Sequence, residues 1–258
     1  MPTLPLSLEK LVAGVMFAGM RVGGLMVFAP FFGSDSISLP VKAGFTVAVT
    51  ALLYPVYAGL GIATNLTGWI RVAGGEAVIG LLLGLTLQFL LDGAGLAGQI
   101  MGIQTGFSLV SILDPQTQAD TPVFSALHQI AVLLIFLRLN VHHWLLRGLA
   151  ASFSYLPPGG GGVNFAVAGT LLRAAAAIWL VGVQIAAPIV AATLLCDVAL
   201  GFLGKASPQL PVMFFGVSIK SLLGLVILAS SLALWPQIWE HKFALALGLG
   251  ERLLHLTR

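Results

Sequence analysis

The chain has 258 residues, of which 58% are hydrophobic and only 8% charged, against about 25% charged in a soluble globular domain. This composition excludes a soluble protein and places the chain in or against a membrane. A net charge of +3 from 12 basic and 9 acidic residues leaves no basic stripe for nucleic acid.

The start of the chain sets Glu9 and Lys10 before an apolar run, with no basic n-region and no A-x-A cleavage pattern, so it reads as a retained first span. Six apolar segments follow one another: Leu8 to Phe32, Ile37 to Ile62, Val72 to Ile103, Val123 to Tyr155, Val163 to Leu203 and Val212 to Leu234. Each is long enough to cross a hydrocarbon core of about 30 Å as a helix, so the expected fold class is all-α and membrane-associated. The fourth and fifth exceed one span and are expected to be kinked, broken or extended beyond the lipid. In the fifth, Pro188 removes a helix hydrogen bond and crowds the preceding turn, which makes it the natural break. The single cysteine, Cys196, lies in the same apolar run without an intrachain partner and reads as a buried inert thiol.

The connections differ in character. Pro30 to Pro40 is a tight proline-bounded loop. Tyr155 to Asn164 joins a diproline to four glycines, which marks a linker and divides four segments from two. Gly204 to Pro211 closes a helical hairpin with two prolines. After Trp235-Pro236, residues Gln237 to Arg258 form an amphipathic tail whose Glu240, Lys242, Glu251 and Arg252 suit a helix on a surface. Lys42, Arg71, Arg147 and Lys205 stand singly and fix no orientation.

Ionisable residues inside the apolar runs are Arg21, Glu76, Asp92, Arg138, Arg173, Asp197 and Lys220. Each would cost about 2.5 to 3.5 kcal/mol at a bilayer centre, so they are expected to face protein or water and to pair. Small residues recur at four-residue spacing, with Gly19 and Gly23 in the first segment and Gly80, Gly84, Ala94, Gly98, Gly102 and Gly106 in the third. Such faces let backbones approach closely, either within this chain or along a seam between subunits. The histidines, His128, His142, His143, His241 and His255, have no spacing that gives a metal two ligands on one helix face. No nucleophile elbow or phosphate loop is present. The sequence therefore points to no catalysis, no metal and no cofactor.

Gly98 to Pro122 stands apart. It carries Gln99, Gln104, Ser108, Ser111, Asp114, Gln116, Gln118 and Asp120 within a very apolar chain, and long polar loops of this kind are usually functional. Phe107, Leu109, Val110, Ile112 and Leu113 supply apolar contacts, and Asp114-Pro115 starts a polar turn. Entered through a glycine helix end at Gly106, the loop suits a pore plug; an exposed loop with a buried foot suits the same residues.

At this loop the chain resembles the FliR family of flagellar type III export gate proteins and their SctT-type virulence-secretion relatives. The resemblance rests on Arg21-Val-Gly-Gly through Ala29-Pro30, Gln104-x-Gly106-Phe107 leading to Asp114-Pro115, Pro122-Val123, Asn140-x-His142-x-Trp144-Leu145, and Lys205-Ala-Ser207-Pro208-Gln209-Leu210-x-Val212. It departs from the pattern at Pro211, where Asn is expected, and at Val141, where Gly is expected. The resemblance implies a FliP-like part over residues 1–158 joined to a FliQ-like helical hairpin over 163–236, with 237–258 as the tail. It implies a non-enzymatic, single-copy subunit that forms with FliP and FliQ a channel for unfolded export substrates, beside other gate proteins of the bacterial inner membrane and flagellar basal body. It also implies that Gly106 to Thr121 is a plug loop whose Gly106, Phe107, Ser108, Leu109, Val110, Ser111, Ile112, Leu113, Asp114 and Pro115 close the channel. Lys205, Ser207, Pro208 and Gln209 would face the cytoplasmic entrance, Gly98 and Gly102 would pack helices, and Arg21 and Pro30 would be structural. A small-solute secondary transporter is the alternative, and it would need matched broken segments in two halves and a charged midplane site.

Overall fold

The computed structural model describes residues 8–34, 37–53, 66–107, 123–157, 165–209 and 212–256. Every regular element among them is helical: α1 (Leu8–Phe28), α2 (Leu39–Leu53), α3 (Leu66–Thr105), α4 (Val123–Arg138), α5 (Val141–Tyr155), α6 (Phe165–Ala206), α7 (Val212–Ser231), a 3-10 turn (Leu232–Leu234) and α8 (Trp235–Leu256). The protein is all-α, as its composition requires.

Three stretches, Thr67–Thr105, Val167–Ala206 and Phe215–Leu256, are long and apolar enough to cross a membrane, and a fourth is added if α4 and α5 are one broken span. Six such spans are expected from the sequence; α1 and α2 form shorter apolar helices in the described residues, and part of the second segment lies outside them. The long helices exceed the need: at about 1.5 Å per residue, α3 with 40 residues and α6 with 42 each run about 60 Å, twice a hydrocarbon core. Both must extend beyond it.

The fourth apolar segment breaks where Asn140 takes a left-handed conformation with φ 55, one of the few conformations of this kind that Asn tolerates well. The fifth does not break. Helix α6 continues through Pro188, correcting the expected interruption. A helix in an apolar setting absorbs one lost bond because no water competes for the rest, and the Thr193 hydroxyl donates to the carbonyls of Ile189 (2.9 Å) and Val190 (3.0 Å) one turn later.

The described chain divides into two compact units, one drawn from Met1–Phe89, Asn140–Ala175 and Phe243–Arg258, the other from Leu90–Leu139 and Ala176–Lys242. In the first, α5 buries Val141, Leu145, Leu149, Ser152 and Phe153 along one stripe, and α1 buries Ala18, Val22 and Leu25 at matching helical spacing. Leu82, Val167 and Leu253 close a core cluster from three helices. The part of α8 in this unit is buried through Phe243, Ala246, Leu253 and Leu254, so the C-terminal helix is packed into the protein along one edge.

In the second unit, α3 contributes Ala94, Ala97 and Met101, α4 contributes Phe124, His128, Val132 and Phe136, and the start of α8 contributes Trp235 and Trp239. By contrast, only 22% of the apolar window of α6 and 11% of that of α7 with α8 is buried within the chain. Surfaces such as Leu195, Phe202, Phe215 and Leu222 must be covered by lipid or by other polypeptides.

Candidate functional site

The foot of the polar loop is the best-organised feature around a residue singled out by the sequence. Helix α3 ends at Thr105, fully buried, whose hydroxyl donates to the Met101 carbonyl at 2.8 Å. Gly106 follows with φ 84, a left-handed value that ends a helix without steric cost only in glycine, and its N–H donates to the Ile103 carbonyl at 3.2 Å. The Thr105 carbonyl, one of those a helix end leaves unpaired, accepts a hydrogen bond from the Ser221 hydroxyl of α7 at 2.7 Å. A Cβ added at Gly224, one turn further along α7, would run into the Thr105 methyl. The exit of α3 is thereby pinned to α7.

The loop leaves and returns at the same place. The ring of Phe107 meets that of Phe124 in α4 with centroids 5.1 Å apart and planes at 38°. Phe124 is buried and Phe107 half-exposed. Ser108, Leu109, Val110, Ser111, Ile112, Leu113, Asp114 and Pro115 lie outside the described residues.

Below this foot α3 and α4 lie in close contact. A Cβ at Gly98 would stand 2.5 Å from the Ser125 Cα, so only glycine permits this approach, and Gly102, one turn on, is also buried. Ser125 donates to the Gly95 carbonyl at 2.9 Å. His128 Nδ1 lies 2.7 Å from the Ala94 carbonyl; since a carbonyl only accepts, Nδ1 carries the proton. The imidazole is packed edge-on to Trp235 at 4.6 Å, a structural role of the kind expected for it.

At the hairpin turn, Lys205 lies in the last turn of α6, the Ser207 N–H donates to the Leu203 carbonyl at 2.8 Å, and Pro208 and Gln209 are exposed. Higher in the hairpin, Lys220 bridges both carboxylate oxygens of Asp197 at 2.8 and 3.0 Å.

Arg21 has a structural site of its own in the first unit. It is fully buried, with Nε 2.6 Å from Glu76 Oε2, Nη1 3.0 Å from the Ser152 hydroxyl and Nη2 2.9 Å from the Leu156 carbonyl. The guanidinium also lies 4.2 Å over the Phe153 ring. Its charge thus sits against a carboxylate and the C-terminal carbonyls of α5, where a helix favours cations. The glycines after it have a matching purpose. A Cβ at Gly24 would strike the Ala77 carbonyl, and one at Gly80 the Arg21 carbonyl, so α1 and α3 meet backbone to backbone. Gly19 and Gly23 face Thr50 and Thr46 of α2. Pro30, buried just beyond α1, precedes a turn in which the Gly33 N–H donates to the Ala29 carbonyl at 2.7 Å, and Lys42 Nζ donates to the Gly33 carbonyl at 3.1 Å.

Sequence reasoning marks Arg21, Glu76, Asp92, Arg138, Arg173, Asp197 and Lys220 as needing partners or water; the structure pairs Arg21 with Glu76 and Lys220 with Asp197, while Arg138 and Arg173 are exposed. It does not find Ser152, Ser125, Ser221 or Thr105, because a hydroxyl within an apolar run shows nothing of what it bonds across the fold.

The family described as "Bacterial export proteins, family 1" matches residues 12–246. The flagellar biosynthetic protein FliR of Escherichia coli (strain K12) is 30% identical over 227 residues, covering 87% of this chain and 86% of that relative. The protein of the same name from Bacillus subtilis (strain 168) is 27% identical over 256 residues, 97% of this chain and 98% of its own length. That of Pectobacterium carotovorum subsp. carotovorum is 30% identical over 230 residues, 87% of this chain and 86% of its own.

Proposed function

The chain belongs to the bacterial export proteins, family 1, and on that premise we propose that it is a membrane-bound component of the flagellar protein export apparatus, a single-copy subunit lining with FliP and FliQ a channel for unfolded substrates. Its setting is the bacterial inner membrane within the flagellar basal body, beside other export-gate proteins. Residues 1–158 act as the FliP-like part, 163–236 as the FliQ-like hairpin and 237–258 as the C-terminal tail. Large apolar faces left uncovered on α6 and α7 suit a chain that works inside an assembly.

Gly106 to Thr121 is the stopper, and its action is steric. The observation that carries this reading is the contact of Phe107 with Phe124 beside the pinned Thr105. It gathers the end of α3 and the start of α4 on one base. Apolar side chains from Phe107 to Leu113 seat the loop, each worth about 1.5 to 3 kcal/mol when fully buried, enough to hold a seal and little enough for an incoming chain to displace. Lys205, Ser207, Pro208 and Gln209 stand at the cytoplasmic entrance. The energy for export comes from partners. Deletion of Ser108 to Ile112 tests the reading: the complex should still assemble and should leak ions or small solutes.

A further inference from the structure

The peptide that joins Thr105 to Gly106 is held at both of its polar atoms. Its N–H donates to the Ile103 carbonyl at 3.2 Å, within the last turn of α3. Its carbonyl accepts from the Ser221 hydroxyl of α7 at 2.7 Å, across 116 positions of chain. A peptide unit is planar, so bonds at its two ends fix the whole plane. The first backbone rotation left free beyond it belongs to Gly106, whose φ of 84 glycine adopts without steric cost. The chain that follows takes its direction from that plane.

Three observations single out Ser221 as the group that sets it. Thr105 is fully buried, so bulk water does not stand in for a lost donor and the carbonyl would be left unpaired. Other serines of α7 turn back on their own helix, Ser230 to the Ile227 carbonyl at 2.9 Å and Ser231 to the Leu228 carbonyl at 2.8 Å, the common local bond of a helical serine. Ser221 reaches across to another helix instead. One turn on, Gly224 is buried and has no Cβ, which leaves room for the Thr105 methyl and lets α7 come close enough for the bond to form.

We propose that Ser221 is a positioning residue for closure: by fixing the Thr105–Gly106 peptide it sets the direction in which the plug loop leaves α3, and it makes α7, not α3 alone, the helix that keeps the loop in its seat. This role rests on the plug reading above and adds a control to it. Helix α7 begins just after the hairpin turn assigned to the cytoplasmic entrance, so a movement of that turn along α7 reaches the foot of the loop through one hydrogen bond and one close contact.

Ion leak through the assembled complex in proteoliposomes tests this with four single substitutions. Ser221→Ala removes the donor and should raise the leak about fivefold with subunit composition unchanged, the change in an open population that loss of about 1 kcal/mol brings. Ser221→Thr keeps the hydroxyl and should seal like the parent. Gly224→Ala drives a Cβ into the Thr105 methyl and should leak with Ser221 intact. Ser230→Ala removes a hydroxyl bonded within α7 and should leave the seal unchanged. A Ser221→Ala complex as tight as the parent overturns the assignment, as does an equal leak from Ser221→Thr or from Ser230→Ala. Should Ser221→Ala not assemble, Gly224→Ala decides: a leak supports the role, whereas a tight seal or a second failure to assemble overturns it. The Ser108 to Ile112 deletion, measured alongside, separates two failures. A leaking deletion beside a tight Ser221→Ala leaves the plug standing and removes the role of Ser221; a tight deletion removes both.

Discussion

Phe107 and Phe124 hold their rings 5.1 Å apart across the segment that runs between α3 and α4. An aromatic pair of this kind adds about 0.5 to 1.5 kcal/mol beyond its buried area. A double-mutant cycle of Phe107→Ala and Phe124→Ala, read by thermal unfolding of the purified assembly, should return a coupling of about that size. Each single variant should also raise the leak through the assembled gate, because the base on which the loop sits is loosened.

Arg21 and Glu76 make a buried ion pair, and removing one member leaves the other charged and desolvated. Arg21→Ala should cost about 3 to 5 kcal/mol, seen as loss of folded protein on heating or on extraction into detergent. Arg21→Lys should recover only part of this, since an ammonium cannot reach Glu76, Ser152 and Leu156 with one planar fork. The half-exposed pair of Lys220 and Asp197 is different: Lys220→Ala should cost at most about 1 kcal/mol.

Gly98 and Gly148 make a contrast that depends on packing alone. Gly98→Ala sets a Cβ against the Ser125 backbone, and overpacking of this kind costs about 1 to 3 kcal/mol. Gly148 in α5 has nothing within 4 Å of its would-be Cβ, so Gly148→Ala should be neutral or should stabilise by up to about 1 kcal/mol through helix propensity. Thermal unfolding of the two variants side by side checks the order.

Pro188 sits in an unbroken α6, so Pro188→Ala should leave the helical content measured by circular dichroism unchanged. A gain in helicity would show that proline interrupts the helix.

The helical class and the need for Arg21 and Glu76 to find partners are legible in the sequence, because burial and insertion costs depend on residue type and follow from hydropathy. Pro188 is misread because a local rule about hydrogen bonding is overridden by the cooperativity of a long helix in an apolar setting. The partners of Arg21 at Ser152 and Leu156 lie over a hundred positions away in the chain, and no periodicity carries that information. Glycine spacing shows a close approach at Gly80 and Gly98 and is silent about which backbone approaches; the structure supplies α1 for the one and α4 for the other.

Gating requires the segment from Gly106 to Thr121 to close a passage. Conductance or solute flux through the assembled complex in planar bilayers or proteoliposomes measures this most directly, with the Ser108 to Ile112 deletion compared with the parent. A closed parent and an open deletion variant of the same subunit composition are expected. An assembled deletion variant that seals as tightly as the parent would contradict gating by this segment.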